Sequence, residues 1–194
     1  GFGSLDVARG SYTCFYEALA GGYGGRLGSD GPDAVQAHGQ NTENAPIEET
    51  ELNYPVQIAR LSLVEDSEGP GRFRGGLGLR KDFRVLQPTT FTILADRDRR
   101  GPWGALGGQD ARAAEYVLIR DCAETRLGSK STTELVAGDI VSVRSCGGGG
   151  YGPPEERDPE RVLRDVLEGK ISARRGAGRA RRRLAGAAGG IGIR

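Results

Sequence analysis

Glycine constrains this chain more than any other residue. It occupies 33 of 194 positions, where an average chain of this size would hold about 7%. The glycines are clustered, in GGYGGRLGSDG (Gly21–Gly31), DSEGPGRFRGGLG (Asp66–Gly78), GPWGALGG (Gly101–Gly108) and CGGGGYG (Cys146–Gly152). No Gly-X-Y period runs through them, so a collagen helix is excluded. Glycine clusters between apolar runs suit a β-rich protein with tight, irregular turns. None of the clusters is a good nucleotide loop. Gly22-x-Gly24 meets Leu27 where a dinucleotide fingerprint needs glycine or alanine, and GGLGLRKD lacks the Lys-Ser/Thr pair of a phosphate loop. The four glycines after Cys146 leave two uses open. Their N–H groups can approach an anion, or the chain can pass close against another backbone.

The apolar pattern between the clusters is that of strands. VQIARLSLV alternates, but the phase moves from Val56 and Ile58 to Leu61 and Leu63, which predicts a bulge near Ala59–Arg60. LRKDFRVL puts Leu79, Phe83 and Val85 on one face and Arg80, Asp82 and Arg84 on the other. Pro88 interrupts, TFTILA resumes with Phe91, Ile93 and Ala95, and the pair reads as a hairpin. EYVLIRD (Glu115–Asp121) and DIVSVRS (Asp139–Ser145) are further strands, the latter entered through a turn at VAGD. One helix is marked at both ends. Asp158 caps it, Pro159 takes the first position, Val162, Leu163, Val166 and Leu167 form the apolar stripe, and Gly169 stops it. The first twenty residues, apolar and aromatic, read as a helix or strand that ends a preceding element. The expected fold is mainly β within an α+β class, a glycine-rich antiparallel domain with one C-terminal helix.

Several functions are excluded. No run approaches the ~20 apolar residues of a membrane span, and no basic-then-apolar leader opens the chain. Cys14, Cys122 and Cys146 are odd in number and far apart, without a C-x-x-C. They suggest idle thiols in a reducing cytoplasm rather than a zinc or redox site. Seven of the 27 basic residues lie between Arg174 and Arg194, where there is no acid. The remaining 20 face 26 acids, a balance of −6, which argues against nucleic acid as a partner.

His38 is the one histidine, and it lies in AHGQNTENAPIEETE (Ala37–Glu51). No second histidine stands at metal-ligand spacing, and no nucleophile-elbow motif occurs. The loop supplies uncharged donors and acceptors in Asn41, Thr42 and Asn44, and Pro46 stiffens its exit. Such loops on a β scaffold carry binding groups. His38 is the candidate catalytic residue, with Asp30, Asn41, Thr42 and Asn44 as candidate substrate-binding residues. The bland alternative is a loop histidine bonded to backbone. Glu48, Glu49 and Glu51 are expected to face solvent or to pair with the arginines of GRFRGG.

Four blocks in order carry a family resemblance: GGYGGRLGSDGPDAVQAHGQNTENAPIEETELNYP, EDSEGPGRFRGGLGLRKDFRVL, ADRDRRGPWGALGG and GDIVSVRSCGGGGYGPPEERDPERVLRDVLEGKIS. They cover most of residues 21–172 and resemble the C-terminal part of the hydantoinase B/5-oxoprolinase family. The large subunits of acetone and acetophenone carboxylases are similar in the same region. The resemblance implies ATP-dependent chemistry on a carbonyl. In it a hydantoinase A-like partner phosphorylates an amide or enol oxygen, and the B-type component completes ring opening or carboxylation of a small-molecule carbonyl or amide. It also implies a divalent metal held on another chain or in the N-terminal portion of a B-type polypeptide. The expected organisation is the end of a preceding element over 1–20, a β-rich domain over 21–152, a helical segment over 153–172 and a basic, disordered tail over 173–194. The tail departs from the family pattern. It resembles the peptide read from GC-rich DNA after a frame change, with a basic binding tail as the alternative. A non-catalytic structural component of the same kind of complex is the other functional reading.

Overall fold

The computed structural model describes residues 1–6, 10–36 and 42–178. Two antiparallel sheets face each other. Their strands are β1 (Phe2–Asp6), β2 (Ser11–Phe15), β3 (Val56–Leu63), β4 (Leu79–Val85), β5 (Thr89–Leu94), β6 (Glu115–Arg120), β7 (Ala123–Arg126), β8 (Lys130–Leu135) and β9 (Ile140–Arg144). One sheet runs β2-β1-β5-β8 and the other β3-β4-β9-β6-β7. Phe2, Phe15, Phe91 and Ile93 from the first meet Phe83, Val85, Tyr116 and Val141 from the second in one core. The β-rich expectation holds, and so does the bulge, since the β3–β4 register shifts between Ile58 and Arg60.

The hairpin expected at Pro88 is not formed. β4 pairs with β3 and β9, whereas β5 pairs with β1 and β8. Residues 86–88 form a corner that carries the chain from one sheet to the other. Both strands still send alternate residues into the same core, Phe83 and Val85 from one side and Phe91 and Ile93 from the other. A hairpin and a sheet-to-sheet corner therefore share one period-two pattern. The opening residues form the β1–β2 hairpin, and β1 pairs onto β5 through Phe2↔Phe91 and Gly3↔Thr90. A short helix, α1 (Ile47–Asn53), occupies part of the expected polar loop.

The glycine clusters have one shared use. Extended segments run side by side at one end of the sandwich and bond to each other. Gly25 N donates to Gly149 O at 2.8 Å, Gly76 N to Tyr23 O at 2.7 Å, and Gly148 N to Gly76 O at 2.9 Å. A Cβ on Gly148 would lie 1.9 Å from Tyr23 O, and one on Gly75 1.8 Å from Gly148 O. Only a residue without a side chain permits that approach. Of the two uses open for the glycines after Cys146, this is the one observed.

Helix α2 (Pro159–Leu167) starts as its sequence predicts, with the Asp158 carboxylate accepting from Glu160 N at 3.0 Å. Its buried face differs from the expected stripe. Leu163 and Leu167 are exposed, while Val162 and Asp165 are buried. Beyond it, 173–178 is helical, and Arg175 donates to the backbone oxygens of Asp66 and Glu68. The described part of the arginine-rich segment is thus docked rather than loose. No helix among the described residues is long and apolar enough to cross a membrane.

Candidate functional site

His38 and Asn41 lie outside the described residues, but both ends of their loop are fixed. Gln36 Nε2 donates to Ala18 O at 2.6 Å, and the Thr42 hydroxyl donates to Gln36 Oε1. Val35 N bonds to Gly21 O at 3.0 Å. Gln36 thereby ties the loop's exit to its entrance and both to the backbone of residues 18–21. Asn44 is exposed a little further on, before Pro46 leads into α1. The Thr50 hydroxyl, buried in α1, donates to Pro46 O at 2.9 Å and holds that exit.

Glu17, Ala18, Leu19 and Gly21 also line a cleft of about 550 Å3 between the two sheets. Phe2, Phe83, Phe91 and Ile93 form its apolar walls, and Glu17, Tyr116, Ser145 and Cys146 bring polar atoms to it. Glu17, Ser145 and Tyr116 are already engaged. Both Glu17 oxygens accept from Lys81 Nζ at 2.8 Å, and the Lys81 side chain, 1% exposed, also lies over the Phe83 ring. Ser145 Oγ donates to Ala20 O at 2.6 Å and accepts from Leu79 N at 2.8 Å. Tyr116 donates its hydroxyl to Asp96 O at 3.2 Å, and burial pushes its pKa up to about 12. Burial likewise pushes the Cys146 thiol up, so it stays protonated and is a poor nucleophile at neutral pH.

Asp30 is placed elsewhere, half-buried in a network around the buried charges of Arg74, Arg157 and Asp165. Arg157, 1% exposed, forks onto both Asp30 oxygens at 2.7 and 2.9 Å and reaches Asp165 Oδ2 at 2.8 Å. Arg74 bonds Asp165 Oδ1 and Asp33 Oδ1, each at 2.9 Å. Asp30 Oδ1 also accepts from Arg74 N, and Asp33 Oδ1 from Leu77 N. Burial by itself would raise the Asp30 carboxyl. The Arg157 hydrogen bonds and charge, with the Arg74 amide, hold it below its usual value. Asp33 is held down against burial by the Leu77 amide and by Arg74. This network pins the loop over 21–33, the segment over 69–78 and helix α2 together. Asp30 and Thr42 share no partner in it. Glu48 and Glu49 face solvent, and Glu51 accepts from Ile58 N at 2.7 Å. None of them meets the GRFRGG arginines, since Arg72 pairs with Glu156 and Arg74 with the aspartates.

The implied cofactors can be tested against these residues. Among the described residues, no group of three His, Cys, Asp or Glu is arranged to hold a metal. The segment after Cys146 is a poor phosphate cradle, because Gly148, Gly150, Tyr151 and Gly152 spend their N–H groups on Gly76, Gln109, Phe73 and Ala105 oxygens. Sequence reasoning passed over Glu17, Lys81, Arg157 and Asp165. Two of these carried a legible signal. Lys81 is in phase with Leu79 and Phe83 on the inner face of β4, and Asp165 falls three residues after Val162 on the inner face of α2. A charge in phase with the core is a charge that has to find a buried partner.

The comparisons with known proteins agree with this architecture. The family model for hydantoinase B/oxoprolinase matches residues 1–154, so the opening hairpin belongs to the family region as well. The B component of a putative D-/L-hydantoinase of Pseudomonas sp. is 36% identical over 182 residues, covering 89% of this chain and 31% of that protein. The ATP-dependent caprolactamase from Pseudomonas jessenii superimposes with a TM-score of 0.77 at 25% identity, over 88% of this chain and 31% of that one. An acetone carboxylase superimposes with the same TM-score at 18% identity, over all of this chain and 33% of the other, a likeness of fold. The chain therefore spans about a third of the length of such relatives. On its fold and its sequence, it belongs to the hydantoinase B/oxoprolinase family.

Proposed function

We propose that this chain is the β-rich portion of a hydantoinase B-type component in an ATP-dependent enzyme that opens cyclic amides or carboxylates ketones. The observation that supports the reading is the Gln36 clamp, which joins Thr42 to Gln36 and Gln36 to the backbone of Ala18, a residue on the wall of the inter-sheet cleft. In this reading His38, Asn41, Thr42 and Asn44 face a cavity completed by other chains. The amides and hydroxyl orient a polar substrate without fixing its proton state, and His38 exchanges a proton with it. Asp30 acts at one remove, because both its oxygens are taken by Arg157. It holds the start of the loop in place. ATP, held by a hydantoinase A-like partner, supplies activation of the carbonyl oxygen. A divalent metal belongs to the remaining portion of a B-type polypeptide. The three thiols, none of them in a disulfide, suit a reducing cytoplasm.

Reconstitution tests this. The chain is combined with a hydantoinase A-like ATPase and the rest of a B-type polypeptide, and phosphate and product are followed with hydantoin, 5-oxoproline, or acetone plus bicarbonate. Turnover is expected only with all components present. His38→Ala should lower it by roughly 10²–10⁴-fold with an unchanged melting curve. Wild-type turnover in that variant would leave the chain as a scaffold, a role the glycine layer and the charge network also suit. Absence of ATP-dependent turnover with every substrate would refute the enzymatic reading.

A further inference from the structure

The cleft between the sheets has unsatisfied apolar surface and satisfied polar groups, and that imbalance says what fits it. The Glu17 carboxylate, the Ser145 hydroxyl and the Tyr116 hydroxyl all have partners within the chain. A cyclic amide entering here would give up its hydrogen bonds to water and find few in return, a cost of about 1–3 kcal/mol per buried polar group. Apolar walls have the opposite preference. The apolar surface also extends past the cleft, since Tyr16 and Leu94 at its rim are 76% and 80% exposed. It is therefore broader than a small molecule needs. The charges at the rim are engaged too, Asp96 with Lys130 and Arg97 over the Trp103 ring. Contiguous apolar surface of this kind marks a contact with another polypeptide.

We infer that this cleft and its rim are the seat for the part of a hydantoinase B-type polypeptide that the chain does not span, received as an uncharged segment bearing aliphatic or aromatic side chains. The inference rests on the family reading above. The chain matches 31% of the Pseudomonas hydantoinase B component and 31% of the caprolactamase chain. The other two thirds of such a protein lie on the same polypeptide as this region, and the cleft offers them an apolar surface with its polar groups already paired. The Gln36 clamp, bonded to Ala18 on the cleft wall, then lies at the edge of that interface.

The test mixes this chain with the portion of the Pseudomonas hydantoinase B component that lies outside the matched region. Association is followed by calorimetry and ultracentrifugation, and thiol alkylation by mass spectrometry, with the labelling done under alkaline conditions in which the partly buried Cys146 thiol of the free chain also reacts. Cys146 lines the cleft, while Cys14 and Cys122 are exposed elsewhere. A complex should form, Cys146 should become protected, and Cys14 and Cys122 should go on reacting. Tyr16→Lys and Leu94→Lys should each weaken association by about tenfold or more, and both positions are too exposed for folding to suffer. Leu167→Lys, on the outer face of α2, should bind as the parent does. A complex in which Cys146 still reacts, or in which the rim variants keep full affinity, would move the seat elsewhere and leave the functional reading intact. Dimers of this chain that protect Cys146 would make a second copy the occupant and overturn the inference. Hydantoin alone protecting Cys146 would also overturn it, by making the cleft a substrate site. No association at all would overturn the seat, while the functional reading stands or falls by the turnover measurement.

Discussion

Two residues show how little freedom single positions have here. Gly148 sits where Tyr23 and Gly76 cross it, and a methyl group there would overlap Tyr23 O. Backbone on the opposing segment cannot rotate away as a side chain would. Gly148→Ala should therefore cost about 3 kcal/mol or more, read as the shift in a urea unfolding midpoint. Lys81 is the second. Its ammonium is buried, with Glu17 as its carboxylate partner. Lys81→Met leaves that carboxylate buried without its cation and should cost about 3–5 kcal/mol. Adding Glu17→Leu should restore most of the loss, since both charges then leave the core together. The double-mutant cycle, measured by chemical unfolding, separates this from ordinary repacking. A double variant no more stable than Lys81→Met would refute the account.

Elements differ in how firmly the sheets hold them. β4 is an interior strand of its sheet, bonded to β3 along its whole length and to β9 along most of it. β1 meets β5 at only two register positions, and the far end of the β1–β2 hairpin, Leu5↔Tyr12 and Asp6↔Ser11, pairs only with itself. Amide hydrogen exchange should show β4 opening only with global unfolding, and the hairpin end exchanging by local opening, orders of magnitude faster. Equal protection in both would mean that something else covers the hairpin. The strand and helix signals that could be read from sequence were the strongly periodic ones, β3, β4, β5, β6, β9 and α2. β7 and β8 escaped notice because AETR and KSTTEL are polar and sit at sheet edges, with no apolar alternation to mark them. α1 escaped because a seven-residue helix carries too few turns for a period.

At the scale of the molecule, α2 and the glycine layer are locked by the network of Asp30, Asp33, Asp165, Arg74 and Arg157. The Asp30 and Asp33 carboxyls ionise more readily in the fold than at their ordinary value of 3.8. A depressed carboxyl contributes stability that is complete above its unfolded value and is lost as pH falls through its folded value. Scanning calorimetry should thus show the midpoint dropping below about pH 4, with a shallower acid limb and a lower midpoint at neutral pH in Asp30→Asn. An unchanged acid limb in that variant would remove Asp30 from the linkage.

The sequence by itself determined the β-rich class, the bulge in β3, the ends of α2 and the family, because each is written in local pattern: period, cap, breaker and ordered motif blocks. It also marked the glycine clusters as special, without saying why. Only the tertiary structure decided that β4 and β5 lie in different sheets, since a corner and a hairpin bury the same alternate residues. Only the structure turned the separate glycine clusters into one layer, and only it committed Asp30 to Arg157, 127 positions away along the chain. Close approach of backbones and the pairing of buried charges are relations between distant segments. Local sequence records each partner but not the meeting.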